Sequence, residues 1–177
     1  MQDPMRATVV MGVSGCGKSS VASALAKHIG ARMIEGDTYH PPQNVQKMQA
    51  GIPLTDADRQ GWLEQLAAEL TRTVAAHELA VLACSALKRR YRDLLRTAVP
   101  ELGFVFLQLS PAAATERVKH RSSHFMPATL VQSQFRDLEP PTDEPLVLTV
   151  DACEPLHVVV ERAQAWWRTT SAPGART

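Results

Sequence analysis

At 177 residues, the chain is long enough for one domain with a substantial buried core. Hydrophobic residues make up 45% and charged residues 21%, with a formal net charge of +1. This is a soluble, globular balance without the overall field that nucleic acid or a membrane surface calls for, so any polyanion has to be held locally. Three widely spaced cysteines, Cys16, Cys84 and Cys153, form no C-x-x-C pattern, which argues against a disulfide framework or zinc site and for a reducing, cytoplasmic setting. No apolar run reaches the roughly 18 residues of a membrane span, and the N-terminus lacks the charged-then-apolar layout of a signal peptide. A single domain over 1–177 is expected, with loose ends at 1–5 and 169–177.

In chain order, residues 7–11 (Ala-Thr-Val-Val-Met) read as a buried strand and residues 19–29 as a helix with Val21, Leu25 and Ile29 on one face. Between them, Gly12-Val13-Ser14-Gly15-Cys16-Gly17-Lys18-Ser19 fits the phosphate-loop pattern G-x-x-x-x-G-K-[ST]. The pattern follows from the chemistry of polyphosphate binding. Glycines let main-chain N–H groups close around an anion at a helix N-terminus, Lys18 adds a full charge for the outer phosphates, and the Ser19 hydroxyl suits Mg²⁺ bridging them. Residues 12–20, including Val13, Ser14, Cys16 and Ser20, are therefore the expected ATP-binding stretch.

Gly30 is a helix C-cap, and residues 32–34 start a second strand that runs into Glu35-Gly36-Asp37. Carboxylates at the C-terminal end of a strand lie where open α/β sheets bind ligands, so Glu35 and Asp37 are candidates for metal or substrate work. The plainer alternative makes Asp37 a turn cap. Pro41 and Pro42 open a short helix that Gly51 ends, and Thr55 with Asp58 has capping-box spacing at the head of a helix over 56–76. Arg59 opposes the dipole in the first turn of that helix, which points to a ligand rather than to the helix.

Residues 79–83 are a third strand and 86–97 a helix whose Lys88, Arg89, Arg90, Arg92 and Arg96 default to a solvated basic face. Lys88 and Arg89 stand apart, because they follow a strand end on the ligand side. Residues 104–109 form a fourth strand, and Pro111 opens a helix. A polar, basic stretch follows, and a mobile lid is expected over about 117–128. A helix over 128–138, a strand over 146–150 and a closing helix over 155–168 complete the chain. Five strands alternating with helices predict an α/β domain of the P-loop NTPase fold, with a parallel sheet and helices on both faces. No Asn-Lys-x-Asp sequence is present, which excludes a G-protein reading.

With these elements in place, the chain resembles the thermoresistant-type gluconokinases, small P-loop kinases akin to shikimate and adenylate kinases. The resemblance runs from about Thr8 to Trp167. It rests on the loop, Gly36-Asp37-x-x-His40-Pro41, Lys47-Met48, Gly51-x-Pro53-Leu54-x-Asp56-x-Asp58-Arg59, Trp62-Leu63, Cys84-Ser85-Ala86-Leu87-Lys88-Arg89-x-Tyr91-Arg92-Asp93, and His124-Phe125-Met126 through Ser133-Gln134-Phe135 to Leu138-Glu139. It implies strand order 2-3-1-4-5, transfer of the γ-phosphoryl of ATP to the 6-hydroxyl of D-gluconate, and a homodimer. Glu35 stands where the family usually has Asp, and Ser123 where it usually has Gly.

Charge and place then suggest roles. Lys18 and the loop amides hold phosphates, Ser19 holds Mg²⁺, and Glu35 or Asp37 completes the metal shell, through water. Asp37 orients and deprotonates the acceptor hydroxyl. Arg59, Lys88 and Arg89 meet the gluconate carboxylate and hydroxyls, and Arg121 closes on the transferring phosphate. His40, His124 and Gln134 are further substrate candidates, although a lone His is as often structural. The rivals are another small-molecule kinase of the same architecture, such as a shikimate or nucleotide kinase, and a non-catalytic nucleotide-binding module.

Overall fold

The computed structural model describes residues 4–120 and 127–172. Strands β1 (Ala7–Met11), β2 (Arg32–Glu35), β3 (Ala80–Ala83), β4 (Gly103–Gln108) and β5 (Val147–Asp151) form one parallel sheet in the order β2-β3-β1-β4-β5. Their apolar runs are continuous rather than alternating because both faces of the sheet are covered. Val10, Val81 and Val105 look toward helices α1 (Lys18–Ile29), α5 (Pro111–Lys119), α6 (Val131–Asp137) and α7 (Leu156–Ser171). Val9, Leu82 and Phe104 look toward α3 (Asp56–Ala75) and α4 (Arg89–Ala98). The short α2 (Pro42–Gln49) lies apart, where Met48 makes a small cluster with Leu54 and Leu130.

Local chemistry sets the element ends. The capping box of α3 is formed in both directions: Thr55 Oγ1 accepts from the Asp58 N–H at 3.1 Å, and Asp58 Oδ2 accepts from the Thr55 N–H at 2.9 Å. The helix expected from residue 86 begins only at Arg89, because Ala86 lies at φ 46, in the left-handed region that a right-handed helix cannot contain. Leu146 at φ 57 likewise moves the start of β5 to Val147. The helix expected over 128–138 divides into a 3₁₀ turn, Ala128–Leu130, and α6.

Three expectations are corrected. Met5, placed in a loose extension, is 1% exposed and packs against Gly103 so tightly that a Cβ there would come 2.4 Å from its sulfur. At the other end α7 continues to Ser171, with the Thr169 and Ser171 hydroxyls bonding to carbonyls of the preceding turn. The basic face of α4 is not all solvated: Arg92 is 0% exposed. Its guanidinium pairs with Glu144 at 2.6 Å and donates to the carbonyls of Ala86, Leu87 and Glu139. Of the expected lid, Arg117–Lys119 belong to α5, and residues 121–126 lie outside the described residues.

Candidate active site

The loop between β1 and α1 is anchored from below and open above. Val13 and Cys16 are buried in the core, while Ser19 and Ser20 stand exposed on the first turn of α1. Gly17 takes the N-cap at φ 94, a conformation that leaves the next amides free to face an anion. Lys18 folds back, its Nζ donating to the Val13 carbonyl at 3.1 Å. The Ser14 N–H donates to Gln134 Oε1 at 2.7 Å, so a side chain from α6 occupies one amide of the cradle.

The end of β2 supplies the facing wall. Gly36 approaches β3 so closely that a Cβ would lie 2.4 Å from the Ala83 carbonyl oxygen, and its own carbonyl accepts from Trp62 Nε1 at 2.8 Å. This fixes the 3₁₀ turn Gly36–Tyr39 over α3 and sets Asp37 at the cleft. The Asp37 carboxylate has no hydrogen-bond partner among the described residues, so it caps nothing there. His40 stacks on Trp62 with ring centroids 4.1 Å apart. Burial holds its imidazole down at about 4, with Asp37 opposing and Arg59 reinforcing the shift, so the ring is neutral at pH 7.

Arg59, 8% exposed, is held by acceptors rather than by its own helix. Its Nη1 donates to Tyr91 Oη at 2.9 Å and to Asp137 Oδ2 at 3.1 Å. Tyr91 donates onward to Asp56, which also receives Lys88 Nζ at 2.9 Å and Arg90 at 3.0 Å. These bonds, Tyr91 first and then Lys88, hold the Asp56 carboxyl down at about 2.

Lys18, Ser19, Ser20, Asp37, His40, Arg59 and Gln134 thus border one cleft of about 800 Å³, with Trp62 and Ser85 in its wall. Lys88 and Arg89 are not brought to it. Lys88 is engaged by Asp56, and Arg89 is exposed, with Asp93 at 3.7 Å and its own N–H on Glu139. Glu35 precedes the turn and does not border the cleft. Arg121 and His124 lie outside the described residues.

A second cleft, of about 550 Å³, opens on the other side of the loop between Val21, Leu156, Val159 and Arg117. Arg117 donates to the carbonyls of Gly15 at 3.2 Å and Ala152 at 2.8 Å. Sequence reasoning missed this cleft along with Trp62, Asp137 and Arg117. Nothing in the sequence marks the cleft: Leu156 reads as part of an amphipathic helix, and only the fold shows this apolar side chain 48% exposed beside the loop.

Comparison with known proteins agrees with this geometry. The model of the AAA ATPase domain matches residues 1–172. Gluconokinase from Gluconobacter oxydans is 47% identical over 156 residues, 88% of each chain. Thermoresistant gluconokinase from Escherichia coli is 42% identical, over 86% of this chain and 87% of its own. The crystal structure of a gluconokinase from Sinorhizobium meliloti superposes with a TM-score of 0.85 at 46% identity, covering 96% of this chain and 95% of that one. A phosphate loop on this sheet order, an acidic turn facing it and relatives of this closeness place the chain in the gluconokinase family of P-loop kinases.

Proposed function

We propose that the protein transfers the γ-phosphoryl group of ATP to the 6-hydroxyl of D-gluconate, giving 6-phospho-D-gluconate and ADP. The observation that carries this reading is that Asp37 and Arg59 border the same cleft as Lys18 and Ser19. A base, an anion grip and a phosphate cradle therefore converge. The acceptor oxygen forms its bond to the γ-phosphorus as the bond to the bridging oxygen breaks, ADP departs with that electron pair, and the hydroxyl proton passes to Asp37. Lys18 and the loop amides take up the charge that develops on the leaving phosphate. Neutral His40, held flat on Trp62, offers a hydrogen bond to an acceptor hydroxyl.

Magnesium fits the donor set. Ser19 and Asp37 present hard oxygen ligands to the cleft, and among the described residues no three His, Cys, Asp or Glu side chains gather to hold an ion without phosphate. Bound with the nucleotide, it would neutralise charge on the phosphates, with Ser19 as direct ligand and Asp37 or Glu35 through water. The adenine is assigned to the second cleft, against Leu156 and Val159 with the Arg117 guanidinium beside it. Arg121 is assigned to the transferring phosphate and His124 to the acceptor. Lys88 acts at one remove, through Asp56 and Tyr91, and Arg89 has no part in acceptor binding. A cytoplasmic homodimer is the working form this reading carries with it, and light scattering on the purified protein tests the stoichiometry.

ADP release from MgATP, followed with a panel of acceptors, tests the activity. Release that depends on D-gluconate is expected. Shikimate or AMP outpacing gluconate would overturn the reading.

A further inference from the structure

Apart from Lys18, Arg59 is the one full cation among the described residues that borders the cleft. Its orientation is set from outside its own helix. Both of its hydrogen-bond acceptors among the described residues, Tyr91 Oη and Asp137 Oδ2, converge on Nη1. Tyr91 is committed in both directions, donating to Asp56 while accepting from Arg59, so it cannot rotate to follow the guanidinium. With Nη1 used, Nε and Nη2 have no partner among the described residues, and that pair is the edge whose geometry matches a carboxylate bidentately.

We propose that Asp137 is a positioning residue for the acceptor: it pins Nη1 of Arg59 so that the Nε/Nη2 edge is presented to the cleft, and thereby sets the preference for an acid over an uncharged polyol. The proposal rests on the assignment of gluconate as acceptor. Asp137 need not touch the substrate. Its side chain is 23% exposed, and it reaches Arg59 from the end of α6, a distant part of the chain. One turn earlier the same helix places Gln134 on the Ser14 amide, so acceptor grip and phosphate loop are referenced to one rigid element.

The test compares wild type, Asp137→Ala and Asp137→Asn in steady-state kinetics with gluconate and with D-glucitol, alongside the KM for ATP and the melting temperature. Removing a partner that orients a ligand-binding group is expected to raise the gluconate KM of Asp137→Ala by about 10- to 100-fold. The KM for ATP should stay near wild type, and the gluconate-over-glucitol preference should shrink. Asp137→Asn keeps an oxygen that accepts from Nη1 and should recover most of the loss, which a merely structural ion pair would not explain.

If Asp137→Ala does not fold, Tyr91→Phe, which removes the other acceptor on Nη1, should show the same KM split to a smaller degree. An unchanged gluconate KM in folded variants overturns the proposal. So does an equal rise in both KM values with a lower melting temperature. A lower gluconate KM also overturns it, by making Asp137 a competitor of the substrate rather than an orienter of Arg59. Wild type that ignores gluconate overturns the acceptor assignment and this role with it, whereas wild type active on gluconate beside an unaffected Asp137→Ala overturns the role alone.

Discussion

The Asp37 carboxylate borders the cleft with no bond of its own among the described residues, whereas the Asp58 carboxylate is fully engaged by Lys47 and the Thr55 amide. A carboxylate beside a phosphate loop and without a hydrogen bond to any described residue is arranged for work on a ligand. Asp37→Asn should cut turnover by about 10²- to 10⁴-fold, the usual worth of a positioned base, with ATP affinity and melting temperature nearly unchanged. Turnover close to the parent would remove the base assignment. Lys18→Ala should cost on the order of 10²-fold or more in turnover by withdrawing charge from the transition state. Its Nζ bond to the Val13 carbonyl is local and partly exposed, so the fold should survive.

Neutral His40 adds a pH effect. Its folded value, about 4, lies below the ordinary 6.5, so the unfolded chain takes up the proton first. The stability it contributes is complete above pH 6.5 and declines as pH falls from there toward 4. His40→Phe should flatten that part of a melting-temperature profile, and an unchanged slope would refute the assignment.

At the scale of elements, α3 is the part most dependent on a local device. Thr55→Ala removes one half of the capping box and should cost about 1 kcal/mol in chemical denaturation. Asp58 is drawn down to about 2, first by Lys47 and then by the Thr55 amide. Its contribution is therefore present above its ordinary 3.8 and is lost as pH falls through 2, below the window in which His40 acts.

The capping box, the five strands and the phosphate loop were all legible in the sequence, because each is written in residues a few positions apart: apolar runs, a Thr-x-x-Asp spacing, glycines before a lysine. What was not legible depends on partners far along the chain. Arg92 reads as one more cation on a basic helix until Glu144 is seen against it, 52 positions later. Lys88 and Arg59 looked equivalent, and both are ion-paired, Lys88 with Asp56 and Arg59 with Asp137, but only Arg59 borders the cleft. The starts of α4 and β5 slipped because nothing in an alanine or a leucine announces a left-handed backbone.

For the whole molecule, a nucleotide held at the loop that joins β1 to α1 should stabilise the folded chain. A nucleotide at about 100 times its dissociation constant adds about 2.7 kcal/mol by mass action, which for a chain of this size raises the melting temperature by roughly 5–10 °C. MgATP should do this for wild type and much less for Lys18→Ala. Equal shifts would mean that Lys18 contributes nothing to holding the ground-state nucleotide.

Arg92 has a consequence for how the molecule meets proteases. The connection of residues 138–146 between α6 and β5 leaves Glu139, Thr142 and Asp143 exposed outside any helix or strand, the kind of polar loop where nicking concentrates. Yet the Arg92 guanidinium reaches it twice, at the Glu139 carbonyl and at the Glu144 carboxylate, while its other bonds go to the carbonyls of Ala86 and Leu87. Burial alone would raise the Glu144 carboxyl, but the bonds from Arg92 and Arg96 hold it below its ordinary value, so it stays charged and paired. A segment tied in this way can be cut only when the core opens. Wild-type protein should therefore resist limited digestion there at a rate set by global unfolding. In Arg92→Met the same connection should be cleaved from the folded state, separating from the rest of the kinase the strand β5 and the helix α7, whose Leu156 and Val159 line the second cleft.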